Sequence, residues 1–143
     1  MPKKVGKVLK LFISQSSRSE LQSLAIDENG IVGDKFYAKD IQRSILLTST
    51  DSYKLAQDHG IDVADGLLGE NVLMDFNPYT LPHGTRLRIG DAWFEITQNC
   101  TLCNHLSAID SKLPKLLRHN RGIFAKALHS ATIYIEDEIF IES

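Results

Sequence analysis

The sequence predicts a mainly β fold with short helices, closed into a β-barrel. Three observations carry that prediction. Apolar runs of strand length recur along most of the chain, the first at Val5 to Ser14 and the last at Glu138 to Ile141. Turn dipeptides such as Asn29-Gly30, Gly33-Asp34 and Gly90-Asp91 punctuate them. Only two segments carry helix signals. Closure is preferred to an open sandwich because it removes the edges that apolar strands would otherwise expose.

Taken in order, Val5 to Ser14 places Val8, Leu9, Leu11, Phe12 and Ile13 in an opening strand. Ile31-Val32 lies between two turns, and Ile45, Leu46 and Leu47 within Ser44 to Thr48 read as a fully buried strand. Ser49 or Thr50 caps a helix that runs to about His59, with Gly60 placed for a left-handed C-terminal cap. Thr85 to Ile89 alternates, with Leu87 and Ile89 on one face and Arg86 and Arg88 on the other. Gly90-Asp91 then turns the chain into Trp93 to Thr97, because glycine supplies the positive φ of a primed hairpin turn. Ser111 caps a second helix, with Pro114 in its first turn and Leu113, Leu116 and Leu117 as its apolar stripe. Ile123 to Leu128, Thr132 to Ile135 and Glu138 to Ile141 complete the β-rich end.

With 143 residues and neither a repeat nor a linker, residues 1–143 read as one barrel domain. A net charge of −2 gives nucleic acid no overall basic field. The cluster Lys3, Lys4, Lys7 and Lys10 is read as a solvated strand start, with an anion site as its minor alternative. No apolar run approaches the ~20 residues of a membrane span. The basic start leads into an amphipathic stretch without a secretory pattern, so a cytoplasmic protein is expected. In that reducing compartment two cysteines are not expected to form a structural disulfide.

The densest chemical cluster is Cys100-Thr101-Leu102-Cys103-Asn104-His105, just past a strand. A thiolate is a soft nucleophile and a soft metal ligand, and the Cys-x-x-Cys pair also suits dithiol redox chemistry. With His105 it offers three zinc ligands, where a structural zinc usually takes four. The plainer reading is two small buried apolar residues. Gly69-Glu70-Asn71 comes second; an amide that both donates and accepts can read a heterocycle edge, whereas a simple turn would explain the same residues. Asp34 and Arg43 come third, Asp34 to organise backbone amides and Arg43 to clamp a phosphate, with turn and surface roles as the alternative. His59, His83, His119 and His129 lack ligand spacing and read as surface or capping residues.

Gly30-Ile31-Val32-Gly33-Asp34, Arg43 before an apolar strand, Gly69-Glu70-Asn71, Gly84 to Asp91, Glu95-Ile96-Thr97 and Cys103 stand in an order that resembles the MOSC family. These domains occur at the C-terminus of molybdenum-cofactor sulfurases and as separate small proteins. The resemblance runs from about Val5 to Ile141 and implies a pyruvate-kinase-like β-barrel. It implies that Cys103 carries sulfur or ligates molybdenum, and that Asp34, Arg43, Glu70 and Asn71 line the same pocket, which barrel closure would assemble. Cys100 falls where many members have Arg or another Cys, and Leu102 where Pro is common. Lys35 and Phe36 replace a His or Tyr neighbourhood, and Glu136-Asp137 stands for a typical Gly-Asp.

The function so implied is a module binding molybdenum cofactor (molybdopterin) or a related sulfur-bearing ligand. Its partner would be a sulfur donor such as a cysteine desulfurase. The 143 residues do not contain the pyridoxal-phosphate desulfurase domain that serves some relatives. Two other readings stay open. One is a small molybdenum reductase of N-hydroxylated compounds, served by partner reductases. The other is a cofactor-free barrel with a structural or zinc-binding Cys-x-x-Cys.

Overall fold

The computed structural model describes residues 2–100, 104–118 and 122–142, with the side chains of residues 104 and 105 not described. Eight strands form the main sheet. They are β1 (Lys3–Ser14), β2 (Arg18–Leu21), β5 (Ile45–Ser49), β6 (Val72–Met74), β7 (Arg86–Ile89), β8 (Ala92–Asn99), β9 (Ile123–Ala127) and β11 (Glu138–Ile141). Their order is β11-β7-β8-β9-β5-β6-β1-β2, and β11 also pairs with β1. That last pairing closes seven strands into a barrel and leaves β2 as a flap beyond it. All neighbours are antiparallel except β5 and β6. A small second sheet joins β3 (Ser23–Asp27), β4 (Gly30–Ile31) and β10 (Ala131–Tyr134).

Two-residue alternation sorts the side chains. Ile45, Leu47, Val72, Met74, Phe94 and Ile96 point into the barrel and belong to the main core. Leu24, Ile26, Ile31 and Ile133 of the small sheet join that core. Leu46 and Phe124, which face each other across β5 and β9, point the other way. With Cys100 they form a separate buried cluster on the outer wall.

Three helices cover another part of the outside: α1 (Thr50–Asp58), α2 (Asn104–Ile109) and α3 (Leu113–Leu116). Ser49 caps α1 by accepting from the Asp51 amide, and Gly60 follows its end with φ at +76°. Ala56, Ile61, Leu68, Leu106, Leu113 and Leu117 make a small core beneath these helices. Among the described helices none is long and apolar enough to cross a membrane.

The structure departs from the sequence expectation in several places. Strands β2 and β3 were not expected: β2 is wholly exposed and carries no apolar alternation, whereas β3 is a five-residue strand that does alternate, burying Leu24 and Ile26. The helix expected behind Ser111 begins at Leu113, and Lys112 at its N-cap makes no side-chain cap. Helix α2 lies just ahead of it and was not expected at all. Thr97 does not end its strand, since β8 runs on to Asn99 past a register shift between Ile96 and Gln98. The lysines at the start of β1 agree with the solvated strand start that was expected, and three of them form surface ion pairs, Lys4 with Glu138, Lys7 with Glu136 and Lys10 with Asp65.

Candidate functional site

A cavity of about 620 Å³ opens against the outer wall of the barrel. Its floor is the apolar pair Leu46 and Phe124 with Cys100 beside them. Ser14, at the end of β1, and Arg18, at the start of β2, form one side. The segment from Lys35 to Ser44 contributes another, carrying Lys35, Phe36, Lys39, Asp40 and Arg43. Arg43 lays its guanidinium over the Phe124 ring, 4.9 Å from the centroid, and its N–H donors have no hydrogen-bond partner among the described residues.

The Gly69-Glu70-Asn71 motif enters this region just before β6, and its parts do different things. Asn71 lines the cavity but is buried. Its Oδ1 accepts from the Leu46 amide at 2.9 Å, and its Nδ2 donates to the Phe12 carbonyl at 3.3 Å. Its backbone does the same, donating to Leu46 and accepting from Phe12. The residue thus ties β5 to β1 at the point where β6 starts between them. The amide expected to read a heterocycle edge is engaged on the backbone of its neighbours.

Glu70 turns away from the cavity. Its carboxyl is completely buried and accepts at Oε2 from the Tyr53 hydroxyl at 2.5 Å. Tyr53 in turn accepts from the amides of Gly66 and Leu68, at 2.9 and 3.4 Å. Oε1 has no hydrogen-bond partner among the described residues. Burial pushes the Glu70 carboxyl above the usual carboxylate range, against the pull of Tyr53 and Arg18. Burial and the adjacent Glu70 likewise push the Tyr53 hydroxyl up, so it remains the donor. What Glu70 offers the cavity is its backbone carbonyl, which accepts from Arg18.

Asp34 also stands behind the cavity. One carboxylate oxygen accepts from the Ser14 amide at 2.7 Å, the other from the Phe36 amide at 2.9 Å. Both amides belong to residues that line the cavity, so Asp34 positions the wall and is not itself part of it. Of the residues the sequence assigned to one pocket, then, Arg43, Asn71 and Cys100 line this cavity, whereas Asp34 and Glu70 do not. Cys103 lies outside the described residues. The cavity is also not a barrel mouth: Leu46 and Phe124 reach it because alternation turns them outward.

Arg18 escaped the sequence reading. It donates to Ser14 Oγ at 2.6 Å and to the Glu70 carbonyl, and its guanidinium sits 5.5 Å from the Phe12 ring centroid. Its sequence signal is weak, a lone cation in a serine-rich stretch. Elsewhere, His129 accepts from the Trp93 amide and His83 pairs with Asn99, both local structural uses. Among the described residues no cluster of three His, Cys, Asp or Glu could hold a metal.

Comparison with solved structures gives the YuaD protein of Bacillus subtilis at a TM-score of 0.87 and 19% identity, covering 100% of this chain and 99% of that one. YiiM of Escherichia coli follows at 0.71 and 16%, covering 96% and 70%. YiiM of Geobacillus stearothermophilus stands at 0.70 and 13%, covering 100% and 76%. At these identities the likeness is one of fold. Comparison with curated proteins gives no match. The MOSC domain family profile matches residues 28–140, which takes in the Gly33-Asp34 turn, Arg43, the Gly69-Glu70-Asn71 motif and both cysteines. With that match over most of its length, the chain belongs to the MOSC domain family.

Proposed function

We propose that this MOSC domain holds molybdenum cofactor, or a related sulfur-bearing ligand, in the outer-wall cavity, with Cys103 as sulfur carrier or molybdenum ligand. The observation that supports it best is that Cys100 lines a cavity of about 620 Å³ together with Arg43. Pockets for small organic ligands commonly span ~300–1,000 Å³, so the size suits such a group. The donor set suits it too, with cations for anionic groups and an apolar floor for a ring. Cys103 follows Cys100 by three positions in the chain.

When bound, the cofactor would supply a metal centre that accepts a soft sulfur ligand. The chain's own residues do the rest. Arg43 meets the ligand's anionic part, Leu46 and Phe124 exclude water from its apolar face, and Asn71 holds β5 and β1 in place beneath it. In the sulfur-carrying version, the Cys103 thiolate takes a sulfur atom from a donor persulfide, such as that of a cysteine desulfurase. The donor is left as a thiol.

The test is elemental and mass analysis of the chain and of Cys103→Ser, both made in a host that produces molybdenum cofactor. Molybdenum near stoichiometric with the chain, or a persulfide on Cys103, is expected, and Cys103→Ser should lose it. Zinc in place of molybdenum, or neither molybdenum nor persulfide, would overturn the reading.

A further inference from the structure

We propose that the barrel carries a second ligand site, a small pocket at Trp93 that takes a free α-amino acid with an apolar side chain. The pocket measures about 270 Å³ and is lined by Arg86, Trp93, Leu128, His129 and Glu142. The alternation that buries Leu87, Ile89 and Phe94 turns Arg86 and Trp93 outward to form it. It is separate from the outer-wall cavity. β8 passes Trp93 near its start and reaches Cys100 just past its end, while β9 passes Phe124 near its start and reaches Leu128 just past its end. This pair of antiparallel strands therefore has the cavity at one end and the pocket at the other.

Charges on the neighbouring strands pair with each other, Lys4 with Glu138 and Lys126 with Glu95. Arg86 and Glu142 do not, although the Glu142 amide donates to the Arg86 carbonyl at 3.1 Å and fixes the two backbones side by side. Among the described residues neither side chain has a hydrogen-bond or ion-pair partner, and the Trp93 indole N–H has none either. His129 adds a fixed wall without charge. Its Nε2 accepts from the Trp93 amide at 3.1 Å, which leaves Nδ1 to donate to the Ser130 carbonyl at 3.0 Å, the neutral tautomer. The pocket thus offers one guanidinium and one carboxylate beside an indole and a leucine. The complement is a zwitterion. The Arg86 fork takes a carboxylate through two parallel N–H bonds, and the indole N–H supplies a further donor. Glu142 takes the ammonium, and Trp93 with Leu128 covers an apolar side chain. Within a peptide the two charges would be neutralised or spread apart, so a free amino acid is the match. Its small size suits a volume just below the ~300–1,000 Å³ of pockets for larger organic ligands.

Trp93 is the only tryptophan in the chain, so indole fluorescence reports this pocket directly. The experiment titrates the protein with L-phenylalanine, with 3-phenylpropionate, which lacks the ammonium, and with phenethylamine, which lacks the carboxylate. L-phenylalanine should change the Trp93 emission saturably and bind at least fivefold more tightly than either of the others. Arg86→Gln and Glu142→Gln should each weaken it at least fivefold. Both side chains are exposed, so the core is untouched by either change, and circular dichroism checks that each variant folds. Lys10→Gln, which removes a cation that does not line the pocket, should leave affinity within twofold.

A Trp93 emission that L-phenylalanine does not change saturably would overturn the proposal. So would 3-phenylpropionate binding as tightly as the amino acid, which would mean that Glu142 meets no ammonium. Phenethylamine binding as tightly would overturn it too, since a cation resting on the indole ring would then suffice. These outcomes can be read in the unmutated protein alone, and none of them depends on what the outer-wall cavity holds.

Discussion

Glu70 shows how a motif residue can serve a site from behind. A carboxyl in water titrates near pH 4.5, and burial raises that value here. Between the ordinary and the raised value the folded chain keeps a proton that the unfolded chain has released. Stability therefore falls as pH rises through that window, by up to about 1.4 kcal/mol per pH unit for one proton. Below the ordinary carboxylate value both states are protonated and the effect vanishes. Glu70→Gln keeps the acceptor for Tyr53 and removes the ionisation. Urea unfolding across pH 4 to 8 should show the variant gaining on the parent as pH rises. A constant difference between the two would mean that Glu70 does not keep its proton on folding.

At the scale of elements, β9 starts where the cavity floor is built, and Gly122 sets its entry. Gly122 accepts at its carbonyl from the Cys100 amide and has φ at +130°, a conformation that side chains rarely adopt. A Cβ there would stand 2.5 Å from Thr48 Oγ1 and 2.7 Å from the Leu47 carbonyl oxygen. Backbone contacts cannot yield as a flexible side chain can. Gly122→Ala should cost about 3 kcal/mol of stability by strain and overpacking together. Chemical denaturation measures this directly, and a loss below about 1 kcal/mol would show that β9 can shift away from β5. Glu136 is a milder case. It adopts φ of +70° in the turn between β10 and β11. Its Lys7 contact spans two exposed side chains and offsets little of that strain.

For the whole molecule, closure depends on the last strand. β11 pairs with β1 on one side and β7 on the other, carrying buried Ile139 between them. Removing residues 138–143 would open the ring, expose two strand edges and uncover the core at Leu87 and Val8. The truncated chain should lose its cooperative unfolding transition and self-associate, as seen by circular dichroism melting and light scattering. A truncated chain that melts cooperatively as a monomer would show that closure is dispensable.

The sequence by itself determined the β-rich character, the first helix with its Ser49 cap, the Gly90-Asp91 hairpin and the cysteine-bearing strand end. These are local matters of period, capping and positive φ, which a few neighbouring residues decide. Only the tertiary structure decided which motif residues face a ligand. Asp34, Glu70 and Asn71 share one sequence signature, yet their polar atoms are engaged by Ser14, Tyr53 and Leu46, partners that lie between 17 and 25 residues away. Arg18 entered the site for the converse reason. Its exposed strand has no pattern to read, and only the pairing of β2 with β1 brings it to Ser14 and to the carbonyl of Glu70, 52 residues on. Periodicity reports which face a residue occupies. Which partner waits at that face is a property of the closed barrel.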